Sequence, residues 1–242
     1  MITAIIQARM SSSRLPGKVM MEFSGNSLLG HIIERISYSK HLSRIVVATT
    51  DNPREVPLID WLEKWGIDYF RGSESNVLNR YFEAAKYFNA KHIARITSDD
   101  PFKDPVIIDQ VADLYFNESL DFAYNNNPPS YAEGLDAEIF SFNALSIAES
   151  EANDSFAREH VTQHFYRNPI KFRQMNLVSP MDYSHLRWTL DTDEDLSMVK
   201  MVYENLYKPG QIFLANNILQ LINEKPEIAL INQSVKRSDM YK

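Results

Sequence analysis

A cluster of cations and hydroxyls lies near the start of the sequence, directly after an apolar run. The stretch IIQARMSSSRLPGK covers residues 5 to 18 and contains Arg9, Arg14, Lys18 and three consecutive serines. Residues 2–8 are mostly apolar, as in a strand buried on both faces of a parallel sheet, and residues 28–36 have helical spacing. We therefore predict that residues 9–18 form a strand-to-helix loop that binds an anion; a solvated basic loop is the alternative.

The loop does not match either of the two common phosphate-binding loops. A Walker loop reads G-x-x-x-x-G-K-S/T, whereas residues 12–19 read SSRLPGKV and lack the first glycine and the final hydroxyl. A dinucleotide-binding loop has three spaced glycines, and this loop has only Gly17. The sequence therefore favours a loop in which side-chain cations, serine hydroxyls and backbone amides surround the anion.

Acidic residues follow two other apolar runs. Asp99 and Asp100 end the stretch ARITSDDP, and Asp191 and Asp193 lie in RWTLDTDED. The carboxyl ends of parallel strands meet at one edge of a sheet, and carboxylates are the ligands that Mg²⁺ prefers. Two acidic ends and one cationic end thus predict a site for Mg²⁺ and a nucleoside triphosphate, although helix caps and solvated turns would also explain each acidic patch alone.

Strand-like and helical patterns alternate along the first half of the chain, which favours an α/β fold with a mostly parallel sheet and helices on both faces. The alternation of strands and helices becomes less regular after residue 125, so we predict one domain with an inserted segment. The predicted strands are 2–8, 44–49, 67–70, 92–96, 121–124, 135–142 and 185–191. Later helices are predicted over 154–166, opened by an Asp154 cap, and over 194–206.

The composition narrows the classes of protein and site. With no cysteine, disulfides and thiolate metal sites are excluded. The 25 basic and 32 acidic residues give a net charge of −7, which disfavours binding to nucleic acid. We find neither a leader-like segment nor an apolar run of bilayer length, so we expect a cytoplasmic protein that does not bind a membrane.

Seven motifs, in order from about residue 2 to 206, resemble the spore-coat polysaccharide biosynthesis protein F family. That family is a branch of the cytidylyltransferases, which include CMP-Kdo and acylneuraminate (CMP-sialate) synthetases. The motifs are IIQARMSSSRLPGK, VVATTDNP, FRGSESNVLNRY, RITSDDP, EGLDAEIFS, REHVT and HLRWTLDTDEDL. The resemblance implies a Rossmann-like nucleotide-diphospho-sugar transferase domain over residues 1–230, with a sugar-pocket or dimerisation segment at about 125–170, and leaves 231–242 as a polar tail.

The same resemblance implies roles for individual residues. The nucleotide-binding set is Ala8, Arg9, Ser11, Ser12, Ser13, Arg14, Lys18, Arg71, Ser73, Arg80 and Asp99. The catalytic set is Arg9, Lys18, Asp99 and Asp191. The metal ligands would be Asp99, Asp191 and Asp193, the last of which is alternatively a base on the sugar hydroxyl. The sugar-binding set is Glu133, Asp136, Glu138, Arg158, His160 and Arg187. Ser11 and Ser98 stand where the family commonly has glycine.

The implied reaction is transfer of CMP from CTP to a hydroxyl of an anionic sugar, a 2-keto acid sugar, with release of pyrophosphate. Mg²⁺ is the implied cofactor and a homodimer the implied assembly. Three alternatives stay open from the sequence: a metal-dependent glycosyltransferase that uses a nucleotide-sugar, a nucleotidyltransferase that uses a sugar-1-phosphate and another nucleotide, and a nucleotide-binding regulator without turnover.

Overall fold

The computed structural model of the protein describes residues 1–12 and 14–236. Ser13, one of the predicted nucleotide-binding residues, lies outside the described residues. The strands are β1 (Ile2–Gln7), β2 (Glu22–Phe23), β3 (Asn26–Ser27), β4 (Leu42–Thr50), β5 (Asp68–Gly72), β6 (His92–Thr97), β7 (Phe122–Tyr124), β8 (Glu138–Ser141) and β9 (Gln174–Asn176). The helices are α1 (Leu28–Ile36), α2 (Val56–Trp65), α3 (Val77–Tyr87), α4 (Pro105–Asn117), α5 (Phe142–Glu151), α6 (Ser155–Glu159), α7 (Gln163–Arg167), α8 (Asp193–Leu206), α9 (Ala215–Glu224) and α10 (Glu227–Leu230).

Seven of the strands form one mixed sheet in the order β5-β4-β1-β6-β8-β7-β9. Strand β1 pairs in parallel with both β4 and β6, and β4 pairs in parallel with β5. Strand β8 runs antiparallel to its neighbours β6 and β7, and β9 pairs in parallel with β7. The sheet is therefore mixed, mostly parallel and Rossmann-like, as predicted, and the basic loop and the Asp99 turn leave neighbouring strands at the same edge.

Helices cover both faces of this sheet because the side chains of β1 alternate between two apolar layers. Ala4 and Ile6 join the layer that contains α1, α4 and α8. Ile5 faces the opposite layer, which contains α3 and α5. The Tyr81 hydroxyl of α3 donates a hydrogen bond to the Ile5 carbonyl at 2.9 Å, so the second layer is also fixed to the backbone of the central strand.

Two sequence predictions about secondary structure are wrong. Residues 185–191 form no strand; they are an extended segment with one isolated bridge, between Glu133 and Arg187. Trp188 and Leu190 alternate inward to the core and so imitate a strand pattern. The helix predicted over 154–166 is interrupted between α6 and α7, where Val161 has a φ of 52° that a helix does not allow. The Asp154 cap is present and accepts from the Ala157 amide.

The start of the polar tail is packed against the domain. Asn232 is 2% exposed, and its side-chain Nδ2 donates to the Arg187 carbonyl at 3.0 Å and to Asp195 Oδ1 at 2.8 Å. Residues 237–242 of the predicted tail lie outside the described residues. Within the described ranges, every helix is too short or too polar to cross a membrane.

Candidate active site

A cavity of about 300 Å³ lies at the carboxyl ends of β1 and β6. Most of the predicted site residues line it: Ala8, Arg9, Ser11, Ser12, Arg14, Lys18, Arg80, Asp99, Glu133, Asp136, Glu138, His160 and Asp191. The described residues that were predicted for the site but lie outside this lining are Arg71, Ser73, Arg158, Arg187 and Asp193. Segments far apart in the sequence thus converge at the sheet edge, as expected from the strand directions.

The loop after β1 is held in place by a buried carboxylate and by a glycine. Glu55 is fully buried, and its Oε2 accepts the Met10 amide at 2.9 Å. The Met10 carbonyl in turn accepts the Gly17 amide at 2.9 Å. Gly17 has a φ of 72°, a conformation that favours glycine, and the chain then enters a short 3₁₀ turn at Lys18. The loop therefore presents Lys18 to the cavity in a fixed orientation.

Lys18 brings the two predicted acidic ends together. Its Nζ is 3.1 Å from Asp99 Oδ2, 2.8 Å from Asp191 Oδ1 and 3.1 Å from the Leu190 carbonyl. Burial alone would lower the pKa of Lys18, but the carboxylates of Asp99 and Asp191 raise it above its ordinary value. Burial likewise acts to raise the pKa of Asp99, but the Lys18 ammonium holds it below its usual range. Lys18 and Asp99 therefore form a charged pair at neutral pH.

Two further cations contact the carboxylate of Asp191. A guanidinium nitrogen of Arg14 lies 2.9 Å from Asp191 Oδ2, and one of Arg187 lies 3.1 Å from the same oxygen. Arg14 has a half-exposed side chain, whereas that of Arg187 is 5% exposed. The same carboxylate is thus bound by one cation that solvent reaches and by another that is fixed in the protein.

The structure gives no support to the prediction that Arg187 binds the sugar, because its guanidinium is surrounded by the protein's own acids. It contacts Glu133 at 3.0 Å and Asp191 at 3.1 Å, and it donates two hydrogen bonds of 2.9 Å to Asp195. Burial opposes its charge, but these carboxylates raise the pKa of Arg187 above its ordinary value. Arg187 therefore orients Asp191 from behind and does not line the cavity.

Asp193 lies away from the cavity, whereas Asp195 supports the turn that contains Asp191. Asp193 is an exposed first residue of α8 and does not line the cavity, so its predicted role as metal ligand or base is not supported by its position. Asp195 is fully buried, and its carboxylate accepts the Asp191 amide at 2.9 Å and the Thr192 amide at 3.1 Å. It thereby caps the helix and fixes the backbone of the Asp191 turn.

Two buried cations that were not predicted from the sequence, Arg95 and Lys103, also line the cavity. Arg95, a polar residue inside a buried strand, forms an ion pair with Glu138. Lys103 lies 2.8 Å from Asp100 Oδ2 and also donates to the Asp136 carbonyl. The polar position within HIARIT could have identified Arg95, but Lys103 follows a proline turn, where a solvated lysine is the ordinary expectation.

Other predicted cations support the backbone. Arg158 pairs with Glu149 and donates to the Ala152 carbonyl at 2.9 Å, so it holds the end of α5; it borders a second hollow, beside Arg9, and not the main cavity. Arg71 donates to the carbonyls of Thr50 and Asp51. These bonds fix the shape of the surrounding chain, and neither arginine is placed to bind a ligand in the main cavity.

Arg80 and His160 do reach the cavity. Arg80 donates to the Ser73 carbonyl at 2.8 Å, and its buried Nε has no hydrogen-bond partner within the described part of the chain. Ser73 therefore contributes by orienting Arg80. Burial lowers the pKa of the His160 imidazole, the nearby Arg95 lowers it further, and Glu159 opposes the change. His160 is thus held neutral at neutral pH.

This arrangement is suited to a triphosphate and a hard cation. Asp99 and Asp191 direct carboxylate oxygens at one point, which Lys18 Nζ occupies, while Arg9, Arg14, Ser11 and Ser12 line the adjoining space. Most described amides of the loop donate within the protein and are not free for an anion. Within residues 1–12 and 14–236, no three His, Cys, Asp or Glu residues are grouped to hold a metal alone. Two carboxylates suffice for Mg²⁺ where substrate phosphates complete its ligand set.

A Rossmann-like mixed sheet with this cationic loop and these strand-end aspartates has the architecture of a nucleotidyltransferase. The chain belongs to the cytidylyltransferase family, whose model matches residues 3–219. It is 32% identical over 235 residues to the spore coat polysaccharide biosynthesis protein SpsF of Bacillus subtilis, an alignment that covers 94% of this chain and 96% of that protein. The resemblance inferred from the seven motifs is thereby confirmed.

Two further proteins are similar to this chain. A cytidylyltransferase structure from Leptospira borgpetersenii serovar Hardjo-bovis superposes with a TM-score of 0.90 at 31% identity, over 98% of both chains. A 3-deoxy-manno-octulosonate cytidylyltransferase of Geobacter sulfurreducens is 31% identical over 123 residues, which cover 49% of this chain and 47% of that protein. The similarity to this last enzyme is thus confined to about half of each chain.

Proposed function

We propose that the protein transfers CMP from CTP to a hydroxyl of a sugar acceptor and releases pyrophosphate. The observation that carries the proposal is the convergence of Asp99 and Asp191 on Lys18 Nζ, beside the cationic loop. Family membership supports CTP as the nucleotide and favours nucleotidyl transfer over the glycosyltransferase and regulator alternatives. The SpsF relative supports a product used in surface polysaccharide biosynthesis.

In this mechanism the protein aligns the reactants and offsets charge on the phosphoryl oxygens. Arg9, Arg14 and Lys18 bind the triphosphate, and the sugar hydroxyl attacks the α-phosphorus in line. The bond from the α-phosphorus to pyrophosphate breaks as the new bond forms, and the hydroxyl proton passes to solvent. The Lys18 ammonium and the Arg9 guanidinium stabilise the charge that develops on pyrophosphate. Arg187 and Asp195 keep Asp191 oriented throughout.

Asp99 and Asp191 fit a magnesium ion, because they direct hard carboxylate oxygens at a point where the protein already holds a positive charge. When bound there, Mg²⁺ would supply charge stabilisation to the phosphoryl oxygens. We propose these two residues as its ligands, because Asp193 is exposed and lies outside the cavity lining.

The acceptor is proposed to be a 2-keto acid sugar, in keeping with the name of the 3-deoxy-manno-octulosonate relative. Glu133, Asp136 and His160 line the cavity and would accept hydrogen bonds from sugar hydroxyls. Glu138 is already paired with Arg95 and would shape the pocket. Arg187 is withdrawn as the partner of a sugar carboxylate. The homodimer and the cytoplasmic location predicted from the sequence stay predictions.

The proposal is tested by incubating the protein with Mg²⁺, a panel of sugars and each of CTP, UTP, ATP, GTP and dTTP. Pyrophosphate is followed continuously, and the nucleotide-sugar is identified by mass spectrometry. We expect release of pyrophosphate and a CMP-sugar with CTP and at least one keto acid sugar. Turnover only with another nucleotide and a sugar-1-phosphate would instead support the second nucleotidyltransferase alternative.

A further inference from the structure

The ammonium group of Lys18 lies where two carboxylates from different segments converge. Its Nζ contacts Asp99 Oδ2 at 3.1 Å, Asp191 Oδ1 at 2.8 Å and the Leu190 carbonyl at 3.1 Å. Three oxygens around one positive charge form a partial ligand set for a cation. We infer that Lys18 occupies the place of a divalent metal in the free protein, so that the site takes a metal–triphosphate complex and not the metal alone. This inference rests on the proposed function.

The balance of charge around the two carboxylates supports the inference. Asp99 and Asp191 contribute two negative charges, and Lys18, Arg14 and Arg187 contribute three positive charges in direct contact with them. Arg187 also contacts Glu133 and Asp195, so its charge is already offset within the protein. A free dication would therefore meet two carboxylates that are both already paired with cations. The cluster also lacks a third carboxylate among the described residues, so the protein alone offers the metal few ligands.

A triphosphate would change this balance because it provides new partners for two of the three cations. Arg14 has a half-exposed side chain, and Lys18 lies at the end of the cationic loop that borders the cavity. Both can transfer their hydrogen bonds from carboxylate to phosphate oxygens, which bind such cations strongly. Arg187 is buried among three carboxylates and would remain, so Asp191 would keep its orientation when Lys18 leaves it.

The test measures Mn²⁺ binding to the full chain without nucleotide, from the loss of the free Mn²⁺ signal in electron paramagnetic resonance. We expect no saturable binding by the wild-type protein below about millimolar Mn²⁺, and at least about tenfold tighter binding by Lys18→Met. With CTP present, ultrafiltration followed by metal analysis should show Mn²⁺ retained by the wild-type protein. A gain of binding on removing a lysine would not result from a merely damaged site.

Matched variants locate the gained site. Lys18→Arg keeps the positive charge and should not gain Mn²⁺ binding, whereas Lys18→Met combined with Asp99→Asn should lose the binding that Lys18→Met gained. Arg14→Gln provides an independent route if Lys18→Met does not fold, because Arg14 is half-exposed and contributes one of the three cations. We expect Arg14→Gln to gain Mn²⁺ affinity by a smaller factor than Lys18→Met.

Tight Mn²⁺ binding by the wild-type protein alone would overturn the inference, and so would the absence of any gain in both Lys18→Met and Arg14→Gln. These results are distinguishable from failure of the proposed function. If no nucleotide supports pyrophosphate release but Lys18→Met gains Mn²⁺, the place of Lys18 stands and the proposed reaction falls. If CTP is consumed as proposed but the wild-type protein binds Mn²⁺ tightly without CTP, the proposed reaction stands and the inference about Lys18 is wrong.

Discussion

The cations on the side of the cavity proposed to bind the nucleotide differ in exposure and pairing from those on the side proposed to bind the acceptor. On the nucleotide side, Arg9 is exposed and Arg14 is half-exposed beside a carboxylate. On the acceptor side, Arg95 pairs with Glu138 and Lys103 with Asp100, all four being buried. The first group is arranged to exchange partners with an incoming anion, while the second is satisfied within the protein. Under the proposed function, charge would serve binding on one side and the shape of the pocket on the other.

This contrast predicts different consequences of mutation on the two sides. Changes on the nucleotide side should lower activity with little loss of stability, because solvent or a ligand can take over the released partner. Changes on the acceptor side should lower stability first, because a buried charge left without its partner costs several kcal/mol. Loss of stability on the nucleotide side, or loss of activity without loss of stability on the acceptor side, would contradict this contrast.

The largest effect is expected for Asp99→Asn. The substitution keeps the shape of the side chain but removes a carboxylate charge at the strand end. We expect kcat to fall by roughly 10³-fold, about 4 kcal/mol, with little change in the melting temperature. Pyrophosphate release at saturating Mg²⁺ measures the first quantity and a thermal unfolding curve the second. Near wild-type turnover would remove Asp99 from the mechanism.

Glu138→Gln should show the opposite behaviour, a loss of stability. The carboxylate pairs with Arg95 and accepts hydrogen bonds of 2.8 Å from Thr162 Oγ1 and the Tyr166 hydroxyl. Leaving the Arg95 charge buried without its partner should cost about 3–5 kcal/mol in the free energy of unfolding, measured by urea denaturation.

The matched control for this pair is the double variant Arg95→Met with Glu138→Met, which removes both charges. Replacement of a whole buried ion pair by apolar side chains is often close to neutral, so we expect the double variant to recover most of the lost stability. If the single and double variants were equally unstable, the packing around these side chains, and not the unpaired charge, would be the cause.

Arg9→Ala tests the nucleotide side at a residue outside the contacts of Asp99 and Asp191. We expect kcat/KM for CTP to fall by the equivalent of about 2–3 kcal/mol, because one preorganised positive charge is lost next to the triphosphate. The free energy of unfolding should change by less than about 0.5 kcal/mol, since the side chain is exposed. A destabilised variant with normal kinetics would contradict this assignment and the contrast between the two sides.

The nucleotide side was readable from the sequence because its signals are local. A loop such as ARMSSSRLPGK and an acidic strand end such as TSDDP each lie within a few consecutive residues. The direction of the strands then brings Lys18 and Asp99 to one edge. Asp191 was expected there as the end of a strand, but it reaches the site on a segment that is not a strand, in which the Leu190 amide donates to the Asp99 carbonyl at 2.7 Å. The sequence did not show that Lys18 Nζ contacts both Asp99 and Asp191, because this contact depends on the three-dimensional fold.

The acceptor side was harder to predict because its pairings join distant residues. Arg187 was interpreted as a free cation, but it is neutralised by Glu133, which is 54 positions away in the sequence, and by Asp195 at the start of α8. Nothing in the local sequence indicates which acids will be buried beside it. The break at Val161 was missed for a similar reason, since a β-branched residue with positive φ is favoured only by its tertiary surroundings.

Arg187→Lys changes a buried residue that does not line the cavity but contacts Asp191, which does. Lysine keeps the charge but cannot reproduce the forked contacts with Asp195 and Asp191. We expect the kcat for CTP and the affinity for Mn²⁺ in the presence of CTP to fall together, each by the equivalent of about 1–2 kcal/mol, while the sugar KM stays close to the wild-type value.

The control for Arg187→Lys is Asn232→Ala, which removes hydrogen bonds to Asp195 and to the Arg187 carbonyl but leaves the Arg187 guanidinium and Asp191 unchanged. It should lower stability and Mn²⁺ affinity in the same direction but to a smaller extent. A selective rise of the sugar KM in Arg187→Lys would restore this residue as a ligand of the sugar carboxylate.

The smallest effect is expected from the pH dependence of stability at His160. Burial and the positive charge of Arg95 lower the pKa of His160 below its ordinary value, against the opposing effect of Glu159. The folded protein therefore binds fewer protons than the unfolded chain, so the stability from this group is complete above about pH 6.5 and is lost as the pH falls through the folded pKa.

Replacing His160 by Gln should make the melting temperature fall less steeply below about pH 6.5. A residual slope should persist, because burial lowers the pKa of His31 and His92 in the same direction. If the slope were unchanged in His160→Gln while the sugar KM rose at every pH, the neutral imidazole would act on the acceptor and the contrast between the two sides would need revision at this residue.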